Sequence, residues 1–235
     1  MHLLIDGVTK RFGNLSAVND CSILLERDGI YGLIGPNGSG KTTLFNVITG
    51  FLSPDSGNVL YEKRNIARKN PILISKLGIA RTFQLPRIFS NLTVEENLEA
   101  SRFRDFGGQK INELIEVFNL RDVKNNPAST LSFGQKKQLE LARVLSMNPS
   151  LLMLDEPTSG LEPSLVRVIV DQIKYARELG KSIFIIEHNM NVIMNLAEKI
   201  FVLNNGTKIA EGLPKEIKAD EQVIEAYLGA EETKR

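Results

Sequence analysis

At 235 residues the chain suits one large domain or two small ones and can bury a sizeable core. A net charge of +1, with acidic and basic residues interspersed, excludes a tail or face built for nucleic acid or anionic lipid, and a single cysteine excludes a disulfide within the chain. The strongest apolar stretches, such as Leu151 to Leu154 and Ile183 to Ile186, have the length of strands and not the roughly 18 residues of a membrane span. With no signal peptide in the sequence, the expectation is a soluble, cytoplasmic protein that can still dock on a membrane partner.

Residues 3 to 25 alternate in strand fashion around a turn near Gly13-Asn14. Within that stretch Cys21 reads as a small buried hydrophobe, and His2 ahead of it as part of a mobile terminus. Ile30 to Ile34 is a continuous apolar run, a buried strand, and Thr42 to Ile48 reads as a helix. Between them, Gly35-Pro36-Asn37-Gly38-Ser39-Gly40-Lys41-Thr42 matches G-x-x-x-x-G-K-[ST] in full. The glycines let backbone N–H groups at a helix N-terminus wrap an anion, Lys41 adds a point charge on the β- and γ-phosphates, and the Thr42 hydroxyl can ligate Mg²⁺. ATP or GTP is the ligand this predicts.

The strand pattern resumes at Asn58 to Tyr61 after the loop Ser53 to Gly57, which predicts a small antiparallel layer near the phosphate loop. From about Leu92 to Met147 the period turns helical, with Ile111, Leu114, Ile115 and Phe118 on one stripe. A helical subdomain over about 85–147, inside a single domain of 1–235, is the expectation. The triplets Asp105-Phe106-Gly107 and Gly107-Gly108-Gln109 imitate a kinase and a release-factor signal but read as an interhelical turn. Leu131-Ser132-Phe133-Gly134-Gln135 opens an amphipathic helix with Leu139, Ala142 and Leu145 on one side and Lys136, Lys137 and Glu140 toward solvent. Its serine hydroxyl and glycine N–H groups would make a second anion site.

The strand Leu151 to Leu154 then delivers Asp155 and Glu156 at its carboxyl end, where open α/β sheets place ligands. Adjacent acids on a strand face opposite ways, so Asp155 is assigned to the metal side and Glu156 to the base that polarises an attacking water. A helix follows, with Pro163 near its start and Gly180 after its end. After the strand Ser182 to Ile186 comes His188, whose imidazole can hydrogen-bond a γ-phosphate, hold the attacking water, or cap the helix over 189–196. Two more strands and a helix near Val223 to Leu228 precede the charged tail Glu231 to Arg235, expected to fray. Alternating strands and helices of this kind indicate an α/β fold with a mainly parallel sheet.

Adding Phe12-Gly13 ahead of the first turn, Gln84 in Arg81-Thr82-Phe83-Gln84, and Ser159-Gly160-Leu161-Glu162 after the acids, the motif order over about 3–228 resembles that of the ATP-binding cassette (ABC) ATPases. The resemblance implies a P-loop NTPase core of mainly parallel sheet flanked by helices, with an antiparallel β subdomain and an α-helical signature subdomain. It implies that Phe12 stacks on adenine, that Gly35 to Lys41 with Thr42 and Thr43 hold the phosphates, and that Gln84 approaches Mg²⁺ beside Thr42 and Asp155 while sensing a membrane partner. Glu156 would be the catalytic base and His188 the γ-phosphate switch. A head-to-tail dimer, of identical or different subunits, is implied too, in which Ser132, Gly134 and Gln135 of one subunit close over the ATP of the other. Phe133 stands where the first of two signature glycines is usual, and Glu162 where aspartate is.

Within that family Gly78 to Gln84, Glu187 to Met190 and Ala210 to Gly229 look most like the ATPases of branched-chain amino-acid importers. That likeness implies transmembrane permease subunits, an extracytoplasmic substrate-binding protein and a peripheral place on the cytoplasmic face of the membrane. The segment between the Gln84 region and the signature is shorter than is common in those relatives. It leaves urea or amide uptake and lipopolysaccharide export as neighbouring readings, with a non-transport iron–sulfur assembly scaffold as the reading of another class.

Overall fold

The computed structural model describes residues 1–101 and 111–232. The turn expected at 105–109 and the last residues of the tail lie outside the described residues. The chain forms two compact units, one of Met1–Leu77 with Ser182–Arg235 and one of Gly78–Lys181.

The first unit begins with β1 (Leu3–Phe12), β2 (Leu15–Leu25), β3 (Ile30–Ile34), α1 (Lys41–Ile48), β4 (Ser56–Tyr61), β5 (Arg64–Asn65) and α2 (Pro71–Lys76). The antiparallel sheet runs β2-β1-β4-β5, with Leu3 opposite both Leu25 and Tyr61. One of its faces carries Leu3, Ile5, Ile23, Leu25 and Val59, all buried, as the period-2 alternation requires. Cys21 is fully buried, and burial pushes its thiol up to about 12, so it behaves as the inert hydrophobe expected.

His2 departs from the expectation of a mobile terminus. It is 1% exposed, with Nδ1 at 2.8 Å from Ser182 Oγ and Nε2 at 3.3 Å from Tyr61 Oη. A ring that can offer a polar atom to each of two buried hydroxyls is held by them, which a reading of local sequence cannot register.

The second unit contains β6 (Ile79–Arg81), α3 (Val94–Ser101), α4 (Ile111–Val117), α5 (Phe133–Ser146), β7 (Leu151–Asp155) and α6 (Pro163–Glu178). β6 and β7 pair in parallel, Ile79 opposite Leu151, and Thr82 N–H extends the ladder to Met153 O. α5 is the central helix, packed against α3, α4, α6 and β6. It starts at a capping box in which Ser132 Oγ accepts from Gln135 N–H and Gln135 Oε1 accepts from Ser132 N–H. The amphipathic reading of α5 fails at two positions. Lys137 and Glu140, expected toward solvent, are 4% and 3% exposed, because the loop after β6 covers that face and bonds to both.

The chain returns to the first unit with β8 (Ser182–Ile186), α7 (Met190–Leu196), β9 (Lys199–Asn204), β10 (Thr207–Gly212), α8 (Pro214–Ala219) and α9 (Glu221–Glu232). β3 runs parallel between β8 and β9, Ile30 opposite Ile183 and Tyr31 opposite Lys199, and β10 closes the edge antiparallel to β9. Every residue of β3 and β8 is buried, which is why both read as unbroken apolar runs. Phe184 packs between Phe45 of α1 and Phe201 of β9, at ring-centroid distances of 5.0 and 6.2 Å. α9 is started by Asp220, whose Oδ1 accepts from Val223 N–H.

Candidate active site

In the first unit the phosphate loop joins β3 to α1. Gly35 has φ 149° and Gly40 φ 101°, and a Cβ added at either would lie 2.0 Å from Leu203 O or 2.2 Å from Ala17 O. The loop is thus held against β9 and β2 so closely that both positions need glycine for space as well as conformation. Gly40 stands at the N-terminus of α1 without a side-chain cap bond, at the end of a helix where an anion is favoured. Lys41 is 6% exposed and lies across the loop, its Nζ donating to Gly35 O at 2.8 Å, Pro36 O at 2.9 Å and Ser39 Oγ at 3.3 Å. Asn37, Gly38 and the Thr42 side chain are exposed, and Thr43 is half-buried. Phe12 ends β1 with 49% exposure, and Lys10 Nζ sits 5.6 Å from its ring centroid.

His188 follows β8 and is exposed. The capping role left open for it belongs to Asn189, whose Oδ1 accepts from the N–H groups of Asn191 and Val192. Glu187 Oε1 accepts from both His188 N–H and Asn189 N–H at 3.1 Å, fixing the backbone from which the imidazole projects. Burial pushes the phenol of Tyr227 in α9 up, and the nearby Gly35 backbone opposes that shift. Nothing in the local pattern near Tyr227 pointed to the phosphate loop.

In the second unit Asp155 ends β7, 3% exposed, with Oδ2 accepting from Arg81 Nη2 at 2.7 Å. Both side chains of this ion pair are within 5% of full burial. Burial holds the Arg81 guanidinium below its usual range, and Asp155 opposes that shift. Glu156, the residue after β7, takes the left-handed region with φ 49°. Its Oε2 accepts from Gln84 Nε2 at 3.0 Å. Two residues 72 apart in sequence, singled out as the base and as a metal-side amide, therefore touch.

Ser132 and Gly134 lie at the N-terminus of α5, with the Gln135 side chain engaged in the capping box. The Phe133 ring is 41% exposed and leans on Gly160, where an added Cβ would lie 3.3 Å from it. Glu162 precedes α6 without a side-chain cap bond. Arg81 and Lys137 are the polar neighbours that sequence reasoning missed. A charged residue in a three-residue strand, and another on a helix with an apolar stripe, give no local signal of burial. Beside Gln84 opens a cleft of about 180 Å³ lined by Arg81, Phe83, Arg87, Ser101, Glu140 and Arg143. Arg87 stacks on the Phe83 ring at 3.9 Å.

Among the described residues no group of three or more His, Cys, Asp or Glu side chains forms a metal cage.

Residues 18–159 match the ABC transporter family, and residues 207–233 match the branched-chain amino acid ATP-binding cassette transporter family. The chain is 36% identical to the high-affinity branched-chain amino acid transport ATP-binding protein LivG of Salmonella typhimurium, over 97% of each chain. It is 35% identical to the probable branched-chain amino acid transport ATP-binding protein LivG of Archaeoglobus fulgidus, over 98% of this chain and 96% of that one. Among solved structures, an ATP-binding cassette of an ABC transporter in its ADP conformation superposes with a TM-score of 0.86 at 33% identity, covering 97% of this chain and 98% of its own. No helix among the described residues is long and apolar enough to cross a membrane. The motif order, the mainly parallel core with its antiparallel layer and these likenesses agree: the chain belongs to the ABC transporter family, as one of its ATP-hydrolysing cassettes.

Proposed function

We propose that this cassette powers the uptake of branched-chain amino acids through separate transmembrane permease subunits fed by an extracytoplasmic binding protein, from the cytoplasmic face of the membrane. The match of residues 207–233 and the names of the relatives support that substrate class. In the active assembly two cassettes meet head to tail, and Ser132, Gly134 and Gln135 of one close over ATP held by the phosphate loop of the other. Phe12 stacks on adenine, and Gly35 to Thr43 grip the phosphates, with Lys41 leaving its loop carbonyls for the triphosphate. His188, exposed on a fixed backbone, engages the γ-phosphate. The cleft beside Gln84 receives a permease segment, with Arg87 and Phe83 offering a cationic and aromatic surface.

Thr42, Asp155 and Gln84 are the residues that would hold Mg²⁺, which when bound supplies charge neutralisation on the phosphates. The chain's own contribution to the chemical step is Glu156. Its carboxylate orients the attacking water and accepts a proton, once Gln84 has released Oε2. The single observation that carries the hydrolytic assignment is the 3.0 Å contact between Gln84 and Glu156, which couples the base to the loop whose Phe83 and Arg87 line the cleft.

The test is reconstitution with the membrane subunits that co-purify with the chain, followed by ATP-driven entry of labelled leucine into vesicles. Uptake that isoleucine and valine compete away, and that Lys41→Ala abolishes, is the expected result. Competition by urea or short amides, or soluble partners alone in the purification, would replace the amino-acid reading.

A further inference from the structure

We propose that Lys137 is a positioning residue for hydrolysis: from α5 it holds the backbones of Gln84 and Glu156 in one frame, so that the base keeps its orientation. The inference rests on the reading of Glu156 as the base. Lys137 Nζ donates to Gln84 O at 3.0 Å and to Glu156 O at 2.9 Å. These carbonyls belong to separate loops, one after β6 and one after β7, and a single ammonium joins them. At 4% exposure the cation has left bulk water, and hydrogen bonds to strong acceptors must offset that cost.

What the frame holds is a conformation that non-glycine residues avoid. Glu156 has φ 49°, and such a residue persists only where its surroundings over-determine it. Lys137 supplies one fixed donor to its carbonyl, and Ser159 N–H supplies another at 3.2 Å. One turn further along α5, Glu140 holds the same Gln84 loop with the opposite polarity, its Oε1 accepting from Phe83 N–H at 3.3 Å and Arg87 N–H at 2.9 Å. The loop that carries Gln84 is therefore clamped to α5 at a carbonyl and at two amides. Since α5 begins at Ser132, the element proposed to meet the partner's nucleotide and the element that orients the base in its own subunit are one rigid helix.

Lys137→Met keeps an unbranched side chain, one atom shorter, and removes the donors. In the full-length chain, kcat is expected to fall about ten- to a hundredfold while the affinity of the phosphate loop for a fluorescent ATP analogue and the KM for ATP stay within about twofold. Hydrogen exchange should quicken at the amides of 83–87 and 156–159 and stay unchanged over 41–48. Lys137→Arg, which can still donate to two carbonyls, should recover most of the loss. Unchanged kcat, or unchanged exchange at both loops, overturns the proposal. If the methionine variant does not fold, the shorter Lys137→Gln is judged by the same exchange and kcat criteria. Glu156→Gln run alongside separates the two ideas: an active Glu156→Gln enzyme rejects the base assignment, whereas an inactive one beside a fully active Lys137→Met rejects the positioning role alone.

Discussion

Asp155 and Arg81 form a pair whose two members are almost completely enclosed, and removing one leaves the other as a buried uncompensated charge. Arg81→Met is therefore expected to destabilise the protein by about 3 kcal/mol or more, read as a lowered urea midpoint, and Arg81→Met combined with Asp155→Leu should recover much of that loss. His2 sets a different dependence. Burial and Arg27 hold its imidazole below the ordinary 6.5, against the opposing pull of Glu62 and Asp28. The unfolded chain then takes up its proton at a higher pH than the folded chain, so protonation favours unfolding. The His2 contribution is intact above about pH 6.5 and is lost as pH falls through the lower folded value. The melting temperature should drop more steeply between about pH 7 and pH 5 for the parent than for His2→Gln, and equal slopes would rule His2 out as the cause. Neither residue advertised its place. Histidine at a second position and arginine in a short strand gain their meaning only from Tyr61, Ser182 and Asp155, which the sequence does not bring near them.

At the scale of elements, α5 shows both what was legible and what was not. The serine followed three residues later by glutamine is a capping box, and the helix starts there. Ser132→Ala should cost about 1 kcal/mol of stability and weaken ATP-dependent association as well, because the hydroxyl serves the helix and is proposed to serve the partner's phosphate. A stability loss with unaltered association would remove Ser132 from the nucleotide contact. The burial of Lys137 and Glu140 on that helix was illegible, since a charge at a helical position reads as solvated until a loop with matching carbonyls and amides covers it. The glycine-rich turn between β3 and α1 was legible because Gly35 and Gly40 answer to a local demand, the close approach of Leu203 O and Ala17 O. Tyr227 was not, for its partner Gly35 lies almost two hundred residues earlier in the chain. Tyr227→Phe removes the hydroxyl beside the Gly35 backbone and keeps the ring, so ATP affinity should weaken by about two- to tenfold with α9 still folded; an unaltered nucleotide affinity would leave Tyr227 as packing alone.

At the scale of the whole molecule, the residues proposed to carry out hydrolysis are divided. The phosphate loop and His188 stand in one compact unit, and Gln84, Asp155, Glu156 and the signature at Ser132 in the other. The signature is proposed to add an anion site that one nucleotide on one phosphate loop does not need, and a second chain would give that site a use. Turnover then destroys the ligand that joins the two chains, so the dimer should be transient in the parent and trapped when the base is disabled. Glu156→Gln retains the shape of the side chain and an acceptor oxygen for Gln84 Nε2, and removes the negative charge proposed to take the proton. With ATP it is expected to elute at the mass of a dimer, and without ATP as a monomer; with ADP it should also be a monomer, because the γ-phosphate is what the signature and His188 are proposed to grip. Turnover should fall by at least about a hundredfold, the scale of a lost general base. A monomer under all three conditions would mean that Ser132 and Gly134 do not close over a partner's nucleotide. A dimer under all three would mean that association is independent of ATP and cannot transmit its hydrolysis to a membrane subunit.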